Sequence, residues 1–220
     1  MNLLGRIFGN NKNQKANKGW TMFSTSKREV KELLVDIGET TINNVTITIK
    51  HYPFEPSIAF RKNEFKASDI DNIDPTGYPP TLKVGNELIF ISAMLKEQLA
   101  KFASDNNIDI VDRKDPWVWI LEPFLDTEFT EDTKKRLTEL LSNYGLTKEK
   151  VYALRQEVET QMLKYNFDTM LWEWGGLGSS DFLRAMRTNY DKEKFKNFYN
   201  EVMRITLLTE TTNYDKDPSR

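Results

Sequence analysis

Hydrophobic and polar positions along the chain repeat at two different periods. Between residues 45 and 91 the period is short. Val45, Ile47 and Ile49 alternate with Thr46, Thr48 and Lys50, the pattern of a half-buried antiparallel strand. Ile58-Ala59-Phe60 and Glu64-Phe65-Lys66-Ala67 flank Arg61-Lys62-Asn63, which predicts a hairpin. Thr81-Leu82-Lys83-Val84 and Glu87-Leu88-Ile89-Phe90-Ile91 flank Gly85-Asn86, a pair suited to a type II′ turn. Pro79 and Pro80 mark where this second hairpin begins, because proline cannot donate inside a sheet. Ile108-Asp109-Ile110-Val111 predicts a last short strand.

Helical spacing precedes and follows that region. Ser26 and Glu29 form a capping box; Val30, Leu33, Leu34 and Ile37 then recur on one face, and Gly38 stands where a left-handed cap belongs. Ser92 predicts the cap of a helix carrying Leu95, Leu99, Phe102 and Ala103. From Asp115 the pattern is helical throughout. Asp115-Pro116 supplies an N-cap and a proline at the first helical position, followed by Trp117-Val118-Trp119-Ile120-Leu121 and an interruption at Pro123. Thr130 caps a helix built on Leu137, Leu140 and Leu141, closed by Gly145. Thr147 caps the next, with Val151, Leu154, Val158, Met162 and Tyr165 in one stripe. Asp191 caps the last, on Phe195, Phe198, Tyr199, Val202 and Ile205. Short loops between such helices imply antiparallel neighbours in a bundle.

The fold class that follows is α+β: an N-terminal antiparallel strand-rich unit with flanking helices, then a C-terminal α-helical bundle. The strand-rich domain is assigned to residues 23–112 and the helical domain to 113–210. Residues 1–22 are read as a disordered basic arm and 211–220 as a frayed tail. Several strands closed by one helix match the element order of a small roll. A chain of 220 residues is long enough to bury roughly 70% of its unfolded surface.

Composition removes chemistry before it supplies any. With no cysteine and one histidine, His51, the chain has no thiolate nucleophile, no cysteine-bound zinc, no disulfide and no pair of histidine ligands. No catalytic residue, metal ligand or cofactor follows from the sequence. His51 follows a strand and precedes Tyr52-Pro53, the setting of a surface or edge residue. No apolar run approaches the ~18 residues of a spanning helix, and the opening nine residues are too short for a secretory signal, so a cytoplasmic location is expected. The net charge of −2 hides an asymmetry: residues 1–31 carry seven basic groups against Glu29, a net +6, which leaves −8 for the rest. A basic arm of this kind can make weak, salt-sensitive contact with nucleic acid or an anionic membrane surface.

Three constellations are candidates for more than packing. In Trp172-Glu173-Trp174-Gly175-Gly176-Leu177-Gly178-Ser179-Ser180-Asp181, glycines precede hydroxyls at a helix start, where phosphate can bind. The spacing is not that of a nucleotide loop, and glycines closing one helix with a serine capping the next account for the same letters. Glu122, Asp126 and Glu128 lie close together beside Pro123 and two phenylalanines; such carboxylates can act as acid and base or bind magnesium, although solvated acids at this spacing are common. Trp117 and Trp119, like Trp172 and Trp174, are two residues apart. A helix turns such positions roughly opposite each other, which predicts one core ring and one peripheral ring per pair.

The function expected on these grounds is that of a non-catalytic binding protein, an adaptor or immunity-type inhibitor. It would meet a protein partner, favoured to be basic, through an acidic, aromatic-bearing surface with Trp119, Trp174, Glu122 and Asp126 as partner-binding candidates. The alternative is a carboxylate- or metal-dependent hydrolytic enzyme, and a third reading is nucleic-acid or membrane-surface contact through residues 1–31.

Overall fold

The computed structural model describes residues 37–125, 129–169 and 177–210, with side chains described except at 163–169. It has the α+β architecture: seven strands in two sheets and seven α-helices among the described residues. The basic arm, most of the helix expected from Ser26 and the tail after residue 210 lie outside those residues.

Strands β1 (Glu39–Ile42), β2 (Thr46–Lys50) and β3 (Glu64–Lys66) form an antiparallel sheet in that order. Ile47 pairs with Phe65, and Ile47, Ile49 and Phe65 are buried. Val45 is 61% exposed and sits ahead of the strand, its carbonyl accepting the Ala67 N–H at 3.0 Å. Gly38 leads into β1 with φ of +88°. A Cβ there would lie 2.5 Å from the Lys50 carbonyl oxygen, so only glycine lets the chain join the sheet at this point.

The hairpin expected at residues 58–67 is not formed. Ile58-Ala59-Phe60 belongs to α1 (Ile58–Arg61), a single helical turn. The reason is its cap. The Ser57 hydroxyl accepts the Ala59 N–H at 3.1 Å, while the Glu87 carboxylate, far along the chain, accepts the Ile58 N–H at 3.1 and 3.2 Å. Satisfying those orphan amides favours a helical turn over a strand, and β3 pairs with β2 instead.

The second sheet holds β4 (Asn72–Asp74), β5 (Thr81–Val84), β6 (Glu87–Phe90) and β7 (Asp109–Ile110), in the order β6-β5-β4-β7. The β5–β6 hairpin turns at Gly85-Asn86, with φ of +59° at Gly85 as a type II′ turn requires. β7 runs parallel to β4 in a unit whose other pairs are antiparallel as expected, and the strands divide between two sheets rather than closing as one roll. The parallel pairing follows from α2 (Lys96–Asp105), which carries the chain back from the end of β6 before β7 begins. Ser92 starts this crossover by accepting the Met94 N–H at 3.4 Å. Side chains close the outer edge of β6: the Leu88 N–H meets the Met203 sulfur at 3.5 Å and the Phe90 N–H donates to the Tyr52 hydroxyl at 3.0 Å. An edge so occupied is closed to pairing with another chain.

The helical half consists of α3 (Pro116–Leu121), α4 (Glu131–Asn143), α5 (Lys148–Thr169), α6 (Ser179–Arg187) and α7 (Lys192–Thr206). Asp115, Thr130 and Asp191 cap as expected, each accepting a first-turn amide, and Gly145 closes α4 with φ of +74°. The stripes of α5 and α7 are buried from Val151 to Met162 and from Phe195 to Ile205, whereas Leu140 of α4 is only half-buried. One continuous cluster of buried residues runs through both halves. α7 makes the junction: the rings of Phe195 and Tyr199 lie tilted against Phe54, with centroids at 6.5 and 6.2 Å. The Tyr199 hydroxyl donates to Glu87 at 2.6 Å.

Candidate partner-binding site

The loop between β4 and β5 is organised by a single buried carboxylate. Asp74 is 2% exposed. Its Oδ1 accepts the Thr76 N–H at 2.9 Å, the Thr76 O–H at 2.8 Å and the Gly77 N–H at 2.9 Å, and its Oδ2 accepts the Arg113 N–H at 2.9 Å. These four bonds use the acceptor capacity of the group and fold the backbone into an Asx turn. The Arg113 guanidinium then reaches Asn72 Oδ1 at 2.6 Å and Thr81 Oγ1 at 3.2 Å, tying β4 to β5. Burial lowers the pKa of Arg113, and the Asp74 charge offsets part of that. Gly77 is required, since a Cβ there would lie 2.9 Å from the Pro79 carbonyl oxygen. Pro75, Pro79 and Pro80 remove further backbone freedom.

At the apex of this loop Tyr78 is 87% exposed. Met94, on the turn after β6, is 91% exposed. The register of β5 and β6 pairs Thr81 with Phe90 and continues through the Ile91 N–H to the Pro80 carbonyl at 2.8 Å. Both segments therefore leave the same end of the hairpin, and a large aromatic and a large thioether are held in solvent on fixed backbone.

The start of α6 abuts this loop. A Cβ at Gly178 would lie 3.9 Å from the Tyr78 carbonyl oxygen and 3.2 Å from Asp115 Oδ2. Asp115 Oδ1 caps α3 through the Trp117 N–H at 3.0 Å, while its Oδ2 accepts the Ser179 N–H at 2.7 Å. Asp181 Oδ2 accepts the Gly178 N–H at 3.1 Å. Burial raises the pKa of both acids, against the hydrogen bonds that lower it; the neighbouring Asp181 charge adds to the rise at Asp115. Two amides that an anion would need at this helix start are thus taken by carboxylates of the chain itself. The cap is Gly178 rather than the serine expected, and Ser179 and Ser180 are the first helical residues.

The residues singled out from sequence are placed differently. Trp117 is fully buried and its indole N–H donates to the Val202 carbonyl at 3.2 Å. Trp119 is half-buried and packs edge-on against Tyr144 at 5.2 Å, so this pair divides into a core ring and a peripheral ring. Glu122 is half-buried in a turn of 3-10 helix and makes no ion pair with another described residue. Trp119 and Glu122 therefore lie at the C-terminal end of α3, away from the Tyr78 end. Trp172, Trp174, Asp126 and Glu128 lie outside the described residues. His51 is exposed, has φ of +56° and stands 3.8 Å from the Glu39 carboxylate. Among the described residues no three acids or histidines come together to hold a metal ion, and no helix is long and apolar enough to cross a membrane.

Sequence reasoning passed over Tyr78 and Met94. The signal for Tyr78 was Asp74-Pro75-Thr76-Gly77-Tyr78-Pro79-Pro80, a turn-forming acid, a glycine and three prolines around one aromatic. No protein-family model, curated protein or solved structure matches the chain.

Proposed function

We propose that the protein is a non-catalytic protein-binding protein, an adaptor or immunity-type inhibitor, whose contact with its partner centres on Tyr78. The observation that carries this reading is the Asp74-built loop, which exposes a tyrosine on backbone already fixed by four hydrogen bonds. An aromatic anchor presented without loss of loop freedom gives its area to binding at small entropic cost. Met94 at the same end of the hairpin supplies an adaptable apolar neighbour. The buried acids support a structural use of carboxylates, since Asp74 and Asp115 are committed to backbone amides. The acidic surplus outside residues 1–31 favours a basic partner.

The test is affinity for a partner purified with the tagged protein at low salt. Tyr78→Ala should weaken binding by about thirtyfold, the loss of ~2 kcal/mol expected of a desolvated aromatic anchor. The melting temperature should not move, because Tyr78 is 87% exposed. Glu122→Gln, as a rim change, should cost far less. Unchanged affinity in a Tyr78→Ala, Met94→Ser double variant would sink the reading. So would a divalent-metal-dependent turnover lost with Glu122→Gln.

A further inference from the structure

At the other end of α3 the surface changes character. A groove of about 590 Å³ runs along α4 beside the start of α5, and a smaller hollow of about 240 Å³ continues it toward Arg155. Lys134, Thr138, Leu146 and Lys148 border both, so the two form one channel. Its floor is apolar, from Leu141, Leu146 and Val151, and the exposed Tyr152 stands at its rim.

The rim is cationic. Lys134 pairs with Glu131 at 3.5 Å, but Lys135, Lys148 and Arg155 meet no carboxylate within ion-pair distance among the described residues. Arg155 is held in place: Nε donates to the Ile120 carbonyl at 2.8 Å and Nη2 to that of Trp119 at 3.1 Å, and its plane faces Phe129 at 6.0 Å. These carbonyls belong to the last turn of α3, whose dipole favours a cation there. On a body whose residues outside 1–31 sum to −8, four cations against two carboxylates around one apolar channel form a local reversal of sign.

We infer that the channel between α4 and α5 is a docking site for an acidic peptide segment of a protein partner. Carboxylates of the segment meet Lys135, Lys148 and Arg155, and an apolar or aromatic side chain lies over Leu146 beside Tyr152. A protein segment fits better than nucleic acid. Glu131 and Glu139 stand in the same rim and repel a continuous phosphate backbone, whereas a peptide places its charges singly. Base stacking also needs successive aromatic platforms, and Tyr152 is the exposed ring here. This inference is independent of the Tyr78 contact.

The experiment is a titration of the isotope-labelled full chain with a repeating Glu-Glu-Leu-Tyr peptide of about twelve residues, enough to span α4 as a helix, followed by amide NMR shifts. Shifts should concentrate on α4 and the first turns of α5. Lys135→Gln and Lys148→Gln together should weaken binding about tenfold, the equivalent of ~1.4 kcal/mol. Both side chains are solvent-exposed, so an unchanged melting temperature confirms that folding is intact. Raising salt from about 0.05 M to about 0.5 M should weaken binding further. Tyr78→Ala should leave this titration unchanged, which separates its failure from failure of the proposed function. Equal binding of a Gln-Gln-Leu-Tyr peptide, tighter binding of an oligothymidylate, shifts elsewhere or none at all would each overturn the inference. So would a tenfold gain in affinity on deleting residues 211–220, which would show that the channel serves the chain's own C-terminal segment.

Discussion

Asp74→Asn separates the loop that presents Tyr78 from Tyr78 itself. The asparagine carbonyl can keep the three bonds now made to Oδ1 by the Thr76 N–H, the Thr76 O–H and the Gly77 N–H. The new amide then takes the place of Oδ2, where it faces the Arg113 N–H, donor against donor. Rotating the amide saves that contact and breaks the other three. A part-buried donor left without an acceptor costs about 1–3 kcal/mol. The half-buried Arg113 guanidinium also loses the negative charge that offsets its desolvation. The sum points to a loss of about 2–4 kcal/mol, overlapping the ~3–5 kcal/mol that breaking one partner of a buried charge pair produces. Urea denaturation measures that loss. Hydrogen exchange should locate it, with the Thr76, Gly77 and Arg113 amides exchanging faster than those of α7. Partner affinity should fall as well, although no atom of Tyr78 has changed, because a loosened loop must be ordered on binding. Stability within about 0.5 kcal/mol of the unaltered protein, the size of an ordinary surface substitution, would refute the account of Asp74 as the organiser of this loop.

Two further substitutions test other parts of the structure. Gly38→Ala should destabilise by about 2 kcal/mol or more, because a positive φ and a Cβ 2.5 Å from the Lys50 carbonyl act together; a thermal melt unchanged by the substitution would contradict this. The Glu201 carboxyl is held down to about 2 by the Arg204 guanidinium at 2.8 Å and by Lys150 at 2.6 Å, which ties α7 to α5. Its contribution to stability is therefore present above the ordinary glutamate range and lost as pH falls from about 4.5 toward 2, so Glu201→Gln should flatten the stability profile in that window, read by denaturation at stepped pH.

Legibility from sequence followed the range of the interactions involved. Asp115, Thr130 and Asp191 were readable as caps because each satisfies an amide within its own first turn. Gly85-Asn86 was readable because the turn's twist depends on its own residues. The apolar stripes of α5 and α7 followed from periodicity alone. What failed depended on distant partners. Ile58-Ala59-Phe60 has the composition of a strand, and the acid that helps cap it as a helix, Glu87, lies in another sheet. The parallel pairing of β7 depends on where α2 returns the chain, which no local pattern encodes. Tyr78 was missed for a different reason. Alternation tells inside from outside in regular elements only, and in a loop of prolines an aromatic reads the same whether it packs or projects. Lysines on α4 and α5 likewise read as solvated faces until packing brings two helices' charges around one channel.

The junction between the halves shows what a binding reading requires of the scaffold. Glu87 accepts hydrogen bonds from the Ser57 hydroxyl, the Ile58 amide and the Tyr199 hydroxyl, so one carboxylate joins α1, β6 and α7. Asp115 joins α3 to α6 in the same manner, and Asp74 joins β4 to the start of the helical half through Arg113. Each acid occupies a place where hydrogen-bond donors from separate parts of the chain converge. A buried charge without partners is costly, and one held by several donors fixes the relative position of the elements that supply them. Partner anchors need that rigidity, because an exposed side chain on a mobile frame loses on ordering what it gains on contact. Carboxylates placed this way are poor catalysts, since a general base must have a lone pair free to reach substrate. The same chemistry that holds the Tyr78 loop still therefore leaves Asp74, Asp115 and Glu87 to structural work.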